Sequence, residues 1–176
     1  MLTKEKEAKI KLKKSKRLTK ILFLVYMILL IWIVIMKTEF SVDNLYRMRS
    51  LNLIPLEGTA VRNQQIDYQE IYLNVLVFLP LGIYLSLLKK EWSFIKKIGQ
   101  IFMLSFLFEG LQYLLKIGAS DITDLIANTL GGIMGIMAFW MVSKIVKDPL
   151  KRNRFFNLLA SLVTILFISF YFLFLH

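Results

Sequence analysis

Side chains that could do acid–base chemistry are concentrated between residues 108 and 135, inside an otherwise apolar sequence. A charged side chain inside a bilayer is costly, so such residues indicate either a functional site or a specific buried partner. The charged and amide residues of this stretch are Glu109, Gln112, Lys116, Asp121, Asp124 and Asn128. The chain has no cysteine and a single histidine, His176, so catalysis would have to use mainly carboxylates, amides and hydroxyls.

Glu109 lies on a polar face of a predicted helix over residues 98–117. Ser105, Glu109, Gln112 and Lys116 follow one another at spacings of 4, 3 and 4, which places them on one side of an α-helix. At 1.5 Å per residue, Glu109 would lie roughly 12 Å below the outer helix end, whereas Lys116 would lie at the rim. Two interpretations stay open for Glu109, a general acid or base and a carboxyl bonded to a neighbouring helix.

The next predicted helix, residues 122–142, begins with two acids. Asp121 suits the N-cap and Asp124 the third helical position, which resembles a capping box, and both suit the positive helix end. Asn128, four residues after Asp124, extends the same face inward. We therefore expect Asp124 and Asp121 to be catalytic or positioning residues, with helix capping as the alternative for Asp121. A series of small residues predicts close helix packing: Ala127, Gly131 and Gly135.

The composition indicates an integral membrane protein. Of 176 residues, 57% are hydrophobic, and the mean hydropathy is +0.60, which is too apolar for a soluble domain. We predict an all-α polytopic bundle of about five transmembrane helices, with a short interfacial or re-entrant element after the first. The predicted spans are residues 21–36, 71–88, 98–117, 122–142 and 155–176. No small-residue cleavage site follows the first span before Lys37, which favours a retained anchor over a removed signal peptide.

Basic residues predict the topology. Eighteen of the 23 Lys and Arg residues lie in a basic arm, residues 1–20, and in two segments, 89–97 and 143–154. By the positive-inside rule these three segments are predicted to be cytoplasmic, and the C-terminus extracytoplasmic. The polar cluster then lies toward the outer leaflet. The arm is expected to set topology and to touch anionic lipid, and no nucleic-acid partner is expected.

The predicted outer loop, residues 37–70, contains an apolar island, LNLIPL, at residues 51–56. The island is too short to span the membrane, and Pro55 disfavours helix at the residue before it. It should therefore lie in the interface or dip back against the helices. Asn52 in the island and Asn74 near the outer end of the second helix are candidate substrate-binding residues, although Asn74 could instead join two helices.

Three blocks of this sequence resemble the VanZ-like membrane protein family. The island LNLIPL resembles its first block, and NVLVFLPLG, residues 74–82, its second. Glu109 and Gln112, followed by DITDLIANTLGG at residues 121–132, resemble its third. The resemblance places a VanZ-like helical domain at residues 21–142. It implies a cell-envelope role and lower susceptibility to lipoglycopeptide antibiotics such as teicoplanin, without an established reaction.

One position departs from the family pattern. Many members carry an arginine three residues before the first aspartate of the third block, where this chain has Gly118. If that arginine pairs with an acid or a phosphate, another cation must replace it or the interaction is lost. The candidates are Lys116, Arg47, Arg49 and Arg62.

Three functions remain open. In the first, the protein binds or acts on an envelope lipid or lipid-linked cell-wall precursor at the outer leaflet. Glu109 would then be the acid or base, and Asp121 and Asp124 would position a cation or hydroxyl groups. The ligand would be bound by Asn52, Asn74, Gln112, Asn128 and Lys116. In the second, it is a non-enzymatic scaffold or antibiotic-binding factor. A small transporter has less support, because no inverted repeat is present. No metal or other cofactor is expected, since the acid spacing matches no defined metal loop; the sequence leaves the oligomeric state open.

Overall fold

Five helices make up most of the computed structural model, which describes residues 2–36, 51–56, 61–62, 65–66, 68–115 and 120–174. They are α1 (Leu2–Met36), α2 (Tyr68–Leu88), α3 (Phe94–Leu115), α4 (Ile122–Ile145) and α5 (Pro149–Phe174). Among the described residues, four of them, α1 to α4, are long and apolar enough to cross a membrane. The predicted class, an all-α membrane protein, is confirmed.

The fifth predicted span, residues 155–176, forms most of α5, but α5 is not among those four helices. It begins at Pro149, and its first turns carry Lys151, Arg152 and Arg154. These basic residues lower the hydropathy of the described part of the helix. Residues 175–176 lie outside the described part of the chain.

The basic arm is helical and continuous with the first predicted span, so α1 begins at Leu2 rather than near residue 21. The arm is rich in Lys, Glu, Leu and Ala, which are good helix formers. Glu5 and Lys9, one turn apart, form an ion pair of 2.7 Å on its surface.

Two helices, α3 and α5, begin several residues before the predicted spans, each at a residue that a side chain caps. The Ser93 hydroxyl accepts a hydrogen bond from the Lys96 N–H at 3.2 Å, so α3 begins at Phe94, ahead of residue 98. Asp148 Oδ1 accepts from the Leu150 N–H at 2.8 Å, and Pro149 follows at the first helical position. Hydropathy located the apolar spans, whereas these polar caps lie outside them.

Two pairs of two-residue strands lie in the loops. β1 (Leu51–Asn52) pairs in parallel with β4 (Ser120–Asp121), with Leu51 opposite Ser120 and Asn52 opposite Asp121. β2 (Val61–Arg62) pairs antiparallel with β3 (Gln65–Ile66). No strand was expected, because two residues are too few to show the alternation that marks a strand. The β1–β4 pair fixes the island immediately before α4.

The chain forms two compact units. The central unit is Leu30–Phe139, and the terminal unit is Met1–Leu29 with Trp140–His176. Helices α1 and α4 contribute to both units. All described candidate site residues belong to the central unit.

A glycine seam, formed by Gly82, Gly131 and Gly135, joins α2 to α4 in the central unit. A Cβ atom on Gly82 would lie 2.0 Å from the Gly132 carbonyl oxygen, and one on Gly135 would lie 2.0 Å from that of Leu79. Because these obstacles are backbone atoms, they cannot move without the helix. The two backbones are therefore in direct contact, as glycines permit between membrane helices.

The seam also determines which helix ends meet. Gly131 lies against the Val75 backbone and Gly135 against that of Leu79, so α2 and α4 run in the same direction. Their N-terminal ends therefore lie at the same end of the central unit. This arrangement brings the amide of Asn74, in the second turn of α2, to the first turn of α4.

Candidate functional site

Asp121 connects three parts of the central unit. Its Oδ1 accepts a hydrogen bond from the Thr123 N–H at 2.8 Å, so it caps the N-terminus of α4. Its Oδ2 accepts from Asn52 Nδ2 at 3.1 Å, and its own N–H donates to Glu109 Oε2 at 3.0 Å. Only 1% of Asp121 is exposed. The island, α3 and α4 therefore meet at one buried aspartate.

The N-terminus of α4 departs from the capping box, because the N–H that bonds to Asp121 Oδ1 is that of Thr123, at the second helical position, where the motif uses the third. In that motif the acid at the third helical position accepts from the N-cap N–H, a role expected for Asp124. Here Glu109 from α3 accepts that bond, and Asp124 Oδ1 accepts from Asn74 Nδ2 at 2.5 Å. Glu109 and Asp124 are 6% and 7% exposed. Three buried acids thus gather at the positive end of α4, where the helix dipole favours negative charge.

The island is held by the same helix start. The Leu56 N–H donates to Thr123 Oγ1 at 3.0 Å, and the Ile54 N–H donates to Asn52 Oδ1 at 3.2 Å. Leu56 has a φ of 64°, in the left-handed region that non-glycine residues rarely occupy. Such strain persists only where the surroundings hold the backbone in place. Protein groups therefore bind the polar backbone of this non-helical segment, as a re-entrant element requires.

The island presents an apolar surface beside this buried network. Its four large apolar side chains are 47–64% exposed: Leu51, Leu53, Ile54 and Leu56. Asn52, between two of them, points instead to the carboxylate of Asp121. One short segment thus combines exposed apolar side chains with a polar connection to the buried acids.

Two carboxamides lie on the same helices. Asn128 Nδ2 donates to Ser105 Oγ at 2.9 Å, and Gln112 Nε2 donates to the Val34 carbonyl at 3.1 Å. Their carbonyl oxygens are buried and accept no hydrogen bond from any residue that the structure describes. The desolvation cost of each oxygen is therefore not offset by a hydrogen bond within the described structure.

Five of the predicted site residues are joined by hydrogen bonds in two groups. Asn52 and Glu109 bond to Asp121, and Asn74 bonds to Asp124. Gln112 and Asn128 bond to other groups. Of the predicted packing residues, Ala127 is buried, and Gly131 and Gly135 lie in the glycine seam. Four residues named above lie outside the described part of the chain, as does the Arg62 side chain: Arg47, Arg49, Lys116 and Gly118.

Two hydroxyl residues bond to described parts of the candidate site although the sequence had not marked them as site residues. Thr123 holds the island, and Ser105 holds Asn128. The sequence could have identified Ser105 as a site residue, because it lies one turn from Glu109 on the same polar face. Thr123 had only its place between two aspartates. Among the described residues, no group of three or more His, Cys, Asp or Glu is arranged to hold a metal ion.

The fold and the network together define a polytopic helical membrane protein with a buried acidic site. Residues 23–146 match the model of the VanZ/LLP1 family. The chain is 36% identical over 132 residues to Protein VanZ of Enterococcus faecium, covering 74% of this chain and 78% of that protein. No solved structure matches it. The chain therefore belongs to the VanZ/LLP1 family, which confirms the resemblance seen in the sequence.

Proposed function

We propose that this protein lowers susceptibility to lipoglycopeptide antibiotics such as teicoplanin by binding or acting on an envelope lipid or lipid-linked cell-wall precursor. The family supports the resistance role. One structural observation carries the ligand class: the exposed apolar island is bonded through Asn52 to a buried acidic network. A ligand with a hydrocarbon part and a polar head group has complementary surfaces.

The island would receive the hydrocarbon part of such a ligand. Leu51, Leu53 and Ile54 are exposed on a segment whose backbone is held in place, so an acyl or polyprenyl chain could lie on them. Burying their apolar surface contributes about 25 cal/mol per Å² removed from water. Hydrocarbon contact alone would not select a head group, so selection rests on the polar network.

The network would receive the head group. Ionised carboxylates only accept hydrogen bonds, which suits hydroxyl and ammonium donors of a sugar or peptide. The unsatisfied carbonyl oxygens of Gln112 and Asn128 are two further acceptors. The described site thus offers mainly acceptors, which favours a donor-rich head group.

A substitution of Glu109 would distinguish a binding role of the protein from a catalytic role. Its Oε2 already accepts the Asp121 N–H, a bond that a glutamine oxygen at the same position could also accept. Glutamine, however, cannot take up or release a proton at neutral pH. A protein that only binds should keep its protection in Glu109→Gln, whereas one that uses Glu109 as an acid or base should lose it.

The orientation proposed for the chain is a cytoplasmic N-terminus and an extracytoplasmic C-terminus in the bacterial plasma membrane, with the site toward the outer leaflet. The basic segments and the shared direction of α2 and α4 support it. The chain has no cysteine, so single cysteines can report it. An impermeant maleimide added to intact cells should label Leu53→Cys and not Glu91→Cys, and the reverse pattern would refute the orientation.

The functional test compares Glu109→Gln and Asp124→Asn with the parent in a susceptible host. We expect Asp124→Asn to reduce the teicoplanin concentration tolerated to that of cells lacking the protein, at unchanged membrane abundance, and Glu109→Gln to do the same only where Glu109 acts as an acid or base. Glu91→Gln is the matched control, because it removes an exposed carboxylate elsewhere in the chain. Parent-level protection in both site variants would remove this site from the function.

A scaffold or antibiotic-binding role is the second candidate, and one observation favours it. Each site carboxylate already has a hydrogen bond within the protein, so the network could serve to join helices. In that case protection should fall only in proportion to folded yield in detergent. Folded but inactive variants would exclude the scaffold role.

A further inference from the structure

The terminal unit contains a basic cavity between α1 and α5 that is separate from the acidic network. The cavity has a volume of about 430 Å³ and is lined by three cations, Lys11, Lys14 and Arg154. None of the described residues that line it is acidic. Three like charges around one space repel each other, so the cavity favours an anionic occupant.

Buried polar side chains fix the wall of this cavity. Asn153 Nδ2 donates to Ser15 Oγ at 3.0 Å and to Thr19 Oγ1 at 2.7 Å, while Thr19 Oγ1 donates to Asn157 Oδ1 at 2.8 Å. Asn157 Nδ2 also donates to the Ser15 carbonyl at 2.9 Å. All four residues are at least nine-tenths buried. The positions of the cations on α1 and α5 are therefore set by a bonded helix pair.

Ser15 adds a hydrogen-bond donor to the cavity. It lines the space, and its Oγ accepts from Asn153 and, at 3.4 Å, from Asn157. Within the part of the chain that the structure describes, its hydroxyl hydrogen is given to no acceptor. With both lone pairs engaged, the hydroxyl can act on a ligand only as a donor. Three cations and one hydroxyl donor are complementary to the oxygens of a phosphate group.

Two leucines distinguish a lipid phosphate from a free one. Leu18 and Leu158 line the same cavity and are 44% and 63% exposed. Leu18 lies where the basic arm gives way to the apolar part of α1, and Leu158 lies in the apolar part of α5. A glycerophospholipid places acyl chains directly beside its phosphate, whereas inorganic phosphate would leave these leucines without a role.

We infer that the cavity between α1 and α5 binds the phosphate of an anionic glycerophospholipid. Basic pockets between membrane helices are a known means of selecting anionic head groups. The inference is independent of the acidic site, because it uses residues of the terminal unit alone. The cavity residues also lie outside the range that matches the family model.

The test measures which lipid the full-length protein retains. It is placed in nanodiscs with equal amounts of phosphatidylglycerol and phosphatidylcholine, and bound lipids are counted by native mass spectrometry after release. The parent should retain phosphatidylglycerol preferentially. The variant Lys11→Gln/Lys14→Gln/Arg154→Gln should lower that preference by on the order of a hundredfold, since three cations near a lipid surface are lost and their contributions add. Its three positions are exposed or rim side chains, so folding should persist.

The control removes the same charge from the same helices. Lys13, Lys16 and Lys151 are exposed and do not line the cavity. Changing all three to glutamine should leave the preference intact. An equal loss of the phosphatidylglycerol preference in both triple variants would show that total positive charge, rather than the cavity, attracts the lipid, and this would overturn the inference. A parent protein that does not prefer phosphatidylglycerol would also overturn it.

A second arm distinguishes the source of the phosphate. In neutral detergent, short-chain phosphatidylglycerol should raise the melting temperature of the parent, whereas inorganic phosphate and short-chain phosphatidylcholine should not. The cavity triple variant should lose this shift. Equal stabilisation by inorganic phosphate would overturn the lipid assignment.

Discussion

The side chain of Glu109 accepts a hydrogen bond from the backbone N–H of Asp121, 3.0 Å away, so a residue of α3 completes the N-terminal cap of α4. In a capping box both bonds come from one helix. Here the second bond comes from a different helix, and Asn52 of the island bonds to the same aspartate. The cap therefore does more than start a helix, because it joins three segments that are distant in sequence.

Two substitutions of Glu109 should distinguish the stability that its hydrogen-bond acceptor contributes from the stability that its negative charge contributes. In Glu109→Ala the buried N–H of Asp121 loses this acceptor, and the free energy of unfolding should fall by about 1–3 kcal/mol. Glu109→Gln keeps an acceptor oxygen and should lose less. Urea unfolding of the purified protein in detergent measures both, with Glu91→Ala as the control. Equal stability of the alanine and glutamine variants would contradict the capping role.

Thr123 should control the order of the island. Thr123→Val removes the acceptor of the Leu56 N–H while keeping the shape of the side chain, so amide exchange across residues 51–56 should accelerate. Thr123→Ser keeps a hydroxyl and should exchange like the parent. Hydrogen–deuterium exchange with mass spectrometry reads this segment directly. Unchanged protection in the valine variant would show that other contacts hold the island.

The glycine seam should tolerate no added methyl group. In Gly135→Ala the new Cβ would meet the Leu79 carbonyl oxygen at 2.0 Å, so α2 and α4 must separate, at a cost of at least about 1–3 kcal/mol. Gly110→Ala is the matched control, because a Cβ there meets nothing within 4 Å. Alanine in that helix should stabilise by about 0.5–1 kcal/mol. A melting temperature of Gly135→Ala equal to or above that of the parent would refute direct backbone contact.

Asn74 and Asp124 should be energetically coupled. A double-mutant cycle with Asn74→Ala and Asp124→Ala should give an interaction energy of about 0.6–2 kcal/mol, the range found for polar contacts between membrane helices. The cycle needs only the unfolding free energies of the parent, the two single variants and the double variant. Strictly additive losses would mean that the two residues act separately.

The sequence predicted the features that follow from local pattern. Apolar runs gave the helical membrane class, and the position of Asp121 before α4 gave its capping role. The acceptor for the Asp121 N–H was not predictable, because Glu109 belongs to another helix and Asp124 was the local candidate. Helix packing decided between these two acids, and a single sequence does not contain that information.

The pairing of β1 with β4 was also beyond sequence pattern. Two residues show no alternation, and the partner strands lie far apart in the chain. Likewise, the start of α1 at Leu2 follows from helix propensity in a segment that charge identified only as a basic arm. Local composition thus predicted where the helices lie, whereas the hydrogen bonds that join the candidate site residues depend on contacts between distant parts of the chain.

Asn52 and Asp121 are 69 residues apart in the chain, so their hydrogen bond can form only late in the synthesis of the protein. During synthesis the island leaves the ribosome well before the strand that pairs with it, and α2 and α3 must be made in between. Contacts between distant residues form late, because the intervening chain has to be closed into a loop first. The island therefore has no β4 to pair with while α2 and α3 are inserted. The acidic site consequently cannot be completed before α2, α3 and the first turn of α4 have been made.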